Sequence, residues 1–149
     1  MPIRNQIEAV VQSLTGSPAF IYGTANELNL LADDASFPCV FLYPPQTINL
    51  SPQINGSVDN TFAITLDFLF KTDFDQYTAD NETYVSQALF MANQFIAKAS
   101  AYREGDGRYF KIKAGDKAKC TPVYNKFDVN TTGVSLTITL ATMYFDSFQ

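Results

Sequence analysis

Residues 61–71 (TFAITLDFLFK) alternate without a break. Phe62, Ile64, Leu66, Phe68 and Phe70 fall on one side, and Ala63, Thr65 and Asp67 on the other. Successive side chains of a strand point to opposite faces, so a period of two predicts a strand. A helix would scatter these bulky side chains around its circumference. One face of the strand is heavily apolar and needs a partner layer, while the other reads as more polar. Residues 134–145 repeat the pattern: Val134, Leu136, Ile138 and Leu140 face one way, and Ser135, Thr137 and Thr139 the other.

Helices to cover such a face are written in two places. Ile3, Ile7, Val10, Val11 and Leu14 fall at helical spacing, with Arg4, Gln6, Glu8 and Gln12 opposite them. Pro2 suits the first turn of that helix, and Gly16 with Pro18 stops it. A longer helix is predicted to end near Tyr102. Its stripe is Val85, Ala88, Leu89, Ala92, Phe95, Ile96 and Ala99, whose alanines permit close approach to a sheet. Thr78 or Asp80 is placed to cap it. Further strands are predicted at 19–22, 37–43 (FPCVFLY), 109–113 and 119–129, with Pro122 marking an edge or a bulge. Residues 130–133 (NTTG) read as a turn. Residues 26–34 fit either a helical turn or an irregular connection.

Only one long helix separates the two groups of strands. This order predicts a single α+β domain over residues 1–149: an antiparallel β-sheet with two helices packed on one face, plus an extended loop or hairpin arm. A chain of 149 residues buries roughly 68–70% of its unfolded surface, so it needs no metal or disulfide to fold.

The chain contains no histidine. That removes Ser-His and Cys-His nucleophile pairs, histidine bases and histidine metal ligands. Asp73 and Asp75 begin like a calcium loop, but Tyr77 and Thr78 stand where a ligand and the turn glycine belong. Asp33-Asp34 reads as a turn, and so does Gly105-Asp106-Gly107, which follows a helix rather than opening one. Paired carboxylates could serve glycoside hydrolysis, but none of the fifteen acidic residues is privileged, and no tryptophan is present to line a sugar subsite. No catalytic residue, metal or cofactor is expected. Cys39 and Cys120 read as two buried free thiols, which suits a reducing compartment. Neither a signal peptide nor a membrane span is expected: residues 1–12 are polar and amphipathic, and no apolar run nears about 20 residues.

Two segments point toward partners. Arg103, Arg108, Lys111, Lys113, Lys117 and Lys119, with Lys98, are seven of the ten basic residues. Three acidic residues lie among them, so residues 98–119 carry +4 and the rest of the chain −9. Such asymmetry suits docking on an acidic partner or head-to-tail contact between copies, or else lysines guarding an edge strand. The overall charge of −5 disfavours nucleic acid, and no sequence-specific contact with it is expected. Residues 44–60 (PPQTINLSPQINGSVDN) are long for a connection. They carry Ile48, Leu50 and Ile54 among polar residues, with Ile48 and Leu50 on one side of any strand. We expect an arm or hairpin that packs on a neighbouring copy; the alternative is a loop folded back over its own core. Phe and Tyr total 21 residues, and surplus aromatics commonly sit in interfaces.

The order of these elements resembles the small tail-terminator and neck proteins of tailed bacteriophages. The match runs through the helix at 3–14, FPCVFLYPP at 37–45, the Pro/Asn-rich excursion at 46–60, TFAITLDFLFK at 61–71, the helix at 84–102, and the closing strands near 124–130 and 134–145. The resemblance implies a non-enzymatic virion protein, assembled in the host cytoplasm. It implies a homo-oligomeric ring of six or more copies in the neck or tail. Such a ring connects portal and head to tail, or terminates the tail tube, and its neighbours are portal, adaptor or tail-tube proteins. The family has no catalytic residues to carry over. The competing expectation is a small non-catalytic α+β binding module, acting as monomer or dimer, with its pocket between sheet and helices.

Overall fold

The computed structural model describes residues 3–32, 35–52, 54, 56–72, 78–101, 110–112, 118–126 and 130–145. Ten elements follow in chain order: α1 (Ile3–Gln12), β1 (Ala19–Tyr22), α2 (Ala25–Leu31), β2 (Cys39–Leu42), β3 (Thr47–Pro52), β4 (Ser57–Lys71), α3 (Thr78–Ala101), β5 (Phe110–Ile112), β6 (Lys119–Lys126) and β7 (Thr131–Phe145). The fold is a mixed α+β fold.

The two alternating segments form the two longest strands, and they pair with each other. β4 and β7 run antiparallel in unbroken register from Ser57↔Phe145 to Lys71↔Thr131. Because partners across a ladder point to the same side, Ile64, Leu66 and Phe68 share a face with Ile138, Leu136 and Val134. Helices α1 and α3 cover that face. Ile7, Val10 and Val11 of α1 and Ala88, Met91, Ala92, Phe95 and Ala99 of α3 are buried with it. The Phe95 ring meets Phe68 edge-on, with centroids 6.1 Å apart. Fully burying one such aromatic or branched side chain is worth about 1.5–3 kcal/mol. Lys98 fastens the two helices together, donating from Nζ to the Ser13 carbonyl just past α1. That carbonyl lies at the negative end of the helix, where a cation is favoured.

Three expectations are corrected here. The sheet is not wholly antiparallel, because β1 pairs with β2 in parallel. The polar-looking face is not open to water throughout: α2 seats Leu28 against Cys39, Phe41 and Leu69 in a second core. This third helix is capped by Thr24, whose hydroxyl accepts from the Glu27 amide. Finally, Leu89 is 43% exposed, while Met91 takes its place in the buried stripe of α3. α3 begins at Thr78, so Thr78 and Asp80 lie within the helix rather than before its first turn; the acidic residues 33–34, 73–75 and 105–107 lie outside the described residues.

The turn into β7 also differs from expectation. Only Asn130 turns, with φ of 59°, and residues 131–133 already belong to the strand. Asparagine tolerates this left-handed backbone better than most residues. Its side-chain amide donates to the Thr72 carbonyl at 3.1 Å, and the Thr72 amide donates back to the Asn130 carbonyl at 3.0 Å. The clamp closes one end of the long ladder. Of the two cysteines, Cys39 is buried and Cys120 half-buried, and both are free thiols.

Gly133 sits opposite Leu69, where β7 and β4 approach very closely. A Cβ at this position would come within 1.8 Å of the Phe68 carbonyl oxygen. The obstacle is backbone, so no rotamer change relieves it. Gly133→Ala is therefore expected to cost about 3 kcal/mol or more in urea denaturation followed by circular dichroism. A variant unfolding at the wild-type midpoint would show that the strands do not approach this closely.

Candidate functional site

Residues 44–60 are neither a long connection nor a loop over the core. Pro44 and Pro45 lack amide protons and interrupt the strand that enters them. The Tyr43 amide donates to the Thr65 carbonyl and the Gln46 amide to the Ala63 carbonyl, so the chain still follows β4 across the interruption. β3 then pairs with the first half of β4, from Thr47↔Ala63 to Pro52↔Val58. The edge of β4 is thus occupied by β2 along its second half and by β3 along its first half. Between β3 and β4, Gly56 adopts φ of 87°, a conformation open to glycine without strain.

All six residues of β3 are exposed. Ile48 lies opposite Phe62 and Leu50 opposite Asn60. Both aliphatic side chains therefore point to the helix-covered side of the sheet, yet Ile48 remains 55% exposed and Leu50 65%. Ile54, on the turn, stands fully in water. The structure brings these three expected interface residues onto one hairpin. It does not fold them over their own core.

The expected basic cluster is not assembled within the described residues. Arg103, Arg108, Lys113 and Lys117 lie outside them. Lys111 is the middle residue of β5, which pairs with β7 at Ala141. Lys119 opens β6 and is exposed. Lys98 is engaged with α1, as described above.

Sequence reasoning missed a polar cluster on the second face. Asp67 is fully buried in the middle of β4. Its Oδ2 accepts from Lys126 Nζ at 2.6 Å and from the Tyr43 hydroxyl at 2.6 Å. Lys126 Nζ also donates to the Tyr43 hydroxyl at 2.7 Å and lies 5.0 Å from the centre of that ring. The three residues come from the end of β2, the middle of β4 and the end of β6. Tyr43, Lys126, Thr24, Gln46 and Thr65 line an open depression of about 420 Å³. Lys126 pairs with Asp67 through Oδ2, so the cluster ties the strands together rather than presenting a free charge, while Asp67 Oδ1 is buried without a hydrogen-bond partner among the described residues. Burial first, then the Asp67 charge and its hydrogen bond, push the Tyr43 phenol well above its ordinary range. Among the described residues, no three acidic or cysteine side chains converge as metal ligands would.

No model of a known protein family matches the chain, and no curated protein matches it. The exposed hairpin, paired into the sheet but uncovered, is the feature that asks for a partner.

Two outcomes test the polar cluster. Lys126→Met strands the Asp67 carboxylate in the protein without its cation, and a loss of about 3 kcal/mol is expected in chemical denaturation. Adding Asp67→Asn should return most of that loss; a double variant as weak as the single one would argue against the pairing. The second outcome concerns alkali. The folded state holds the Tyr43 proton at a pH where the unfolded chain, with an ordinary value of 10.0, releases it. This contribution to stability is complete below that pH and declines as pH rises above it. Tyrosinate absorbance should therefore show one fewer titrating tyrosine in the folded protein, and Tyr43→Phe should erase the difference between folded and unfolded counts.

Proposed function

We propose that this chain is a structural virion protein of a tailed bacteriophage. It forms a homo-oligomeric ring in the neck or tail, connecting portal and head to tail or terminating the tail tube. One observation carries the proposal: the β3–β4 hairpin holds Ile48, Leu50 and Ile54 in water on a rigidly paired extension of the sheet. A chain gains nothing from ordering exposed aliphatic side chains for solvent. Covered by another copy, each is worth about 1.5–3 kcal/mol. The order of elements that resembles tail-terminator and neck proteins supports the same reading. So does the inward pairing of Tyr43, Asp67 and Lys126, which gives the buried Asp67 carboxylate a structural role.

Native mass spectrometry at micromolar concentration, together with images of assembled virions, tests the proposal. A ring mass is expected for the wild type, and Ile48→Asp with Leu50→Asp should reduce it to monomer while leaving the thermal midpoint unchanged. Monomers alone in both settings would favour the small binding module instead. Unfolding of the double variant as an isolated monomer would return the hairpin to its own core and overturn the assembly role.

A further inference from the structure

A groove of about 410 Å³ lies at the opposite end of β4 from the hairpin. Thr15, Pro38, Phe70, Gln87, Phe90 and Met91 line it, contributed by the segment after α1, the approach to β2, the end of β4 and the first half of α3. Phe90 stands 61% exposed. We propose that this groove is the acceptor for the β3–β4 hairpin of a second copy, so that subunits join head to tail. The inference rests on the ring proposal and names the surface that completes it.

Four observations select this occupant. The first is charge. None of the groove-lining residues is ionisable, and residues 44–60 contain a single charged residue, Asp59, in a chain that is 17% charged. Interface centres are depleted in charge in the same way. The second is volume. A void of roughly 150 Å³ accepts a benzene-sized group, so the groove has room for two or three aliphatic side chains, and the hairpin offers three.

The third is position. Donor and acceptor lie on the same side of the sheet. Ile48 and Leu50 share the face of Phe62, and Phe70 lies on that face too. Ser57 and Phe70 are separated by most of β4, roughly 40 Å at a strand's rise per residue. Two patches so far apart on one subunit are not a single surface: about a two-fold axis they could meet only by reciprocal exchange, whose cross-linked product stops at the dimer. In the ring proposed above they make a heterologous contact instead, which closes when the rotation permits.

The fourth is area. Burying three aliphatic side chains of this kind removes roughly 60–120 Å² each from water, by the usual relation between transfer energy and area. A stable pair of proteins needs about 800 Å² per partner. One hairpin in one groove falls short of that. In a closed ring every subunit uses both its hairpin and its groove, and breaking any one contact leaves the others in place.

Cross-linking tests the contact. Ile54→Cys and Gln87→Cys are made separately in a Cys120→Ser chain; Cys39 stays, since burial pushes its thiol up to about 12 and leaves it protonated. A short bis-maleimide is added to each variant and to their mixture. Covalent dimers are expected in the mixture and in neither variant alone, and the chain carrying both cysteines should give a ladder ending at the ring. Phe90→Asp, at an exposed position, should yield folded monomers with the wild-type thermal midpoint. Rings of wild-type mass that do not cross-link in the mixture, or that tolerate Phe90→Asp, would overturn the groove assignment while leaving the ring proposal standing. Dimers from Ile54→Cys alone would mean that hairpins meet each other, and would overturn head-to-tail joining. Absence of any assembly in the wild type would remove the ring proposal and this contact with it.

Discussion

The antiparallel ladder between β4 and β7 is the constraint on which the rest of the structure depends. Its register is continuous from Ser57↔Phe145 to Lys71↔Thr131. A slip of β7 by one residue would turn Val134, Leu136, Ile138 and Leu140 away from α1 and α3 while β4 kept its own face. Two features hold it. Gly133 allows the strands to approach beside Phe68, and Asn130 and Thr72 bind each other at the closed end. The ladder is also longer than the helices need. Its first part carries β3 and the hairpin out beyond the covered face, so one pair of strands serves both the core and the exposed surface.

The second face shows how a charged residue can be held inside the fold by partners from two other elements. Asp67 interrupts an apolar strand, and Lys126 and Tyr43 close over it from two other elements. Lys126 keeps part of its side chain in water, with 32% of it exposed, while the carboxylate it pairs has none. Such a pair contributes little over an apolar replacement but costs a great deal when only one member is removed. Its effect is to specify which strand ends meet: the end of β2, the middle of β4 and the end of β6 must all arrive together.

The strong periodicities were legible in the residues. The period of two in 61–71 and 134–145 gave both long strands, and the apolar spacing of Ile3, Ile7 and Val10 gave α1. What was not legible depends on contacts between distant segments. Asp67 looks like a solvent-facing residue in its strand, because nothing nearby in the chain announces Lys126, fifty-nine positions away. The parallel pairing of β1 with β2 is equally hidden, since four apolar residues carry no direction. α2 had a local signal, Thr24 followed three positions later by Glu27, that an N-cap reading would have found. Residues 44–60 showed their aliphatic spacing plainly, and Ile48, Leu50 and Ile54 are exposed together on one hairpin. The composition rich in Pro and Asn hid the strand within them, because Pro44 and Pro45 break the ladder for only a few residues before Thr47 resumes it. Of the basic residues, Lys98 shows why a cluster along the chain need not be one in space: it turns inward to the Ser13 carbonyl.

The shared length of β4 and β7 has a mechanical consequence. A load applied to the hairpin along the strand axis does not open the sheet one bond at a time, as peeling from an edge would. It is carried in shear, with the hydrogen bonds along the ladder resisting together. The clamp at Asn130 and Thr72 lies at the far end of that ladder, where sliding of β4 past β7 would first have to break it. The molecule is therefore stiff along the line joining its hairpin to its groove and weaker across it. A joint built from such parts would transmit tension around its circumference through continuous backbone rather than through packed side chains.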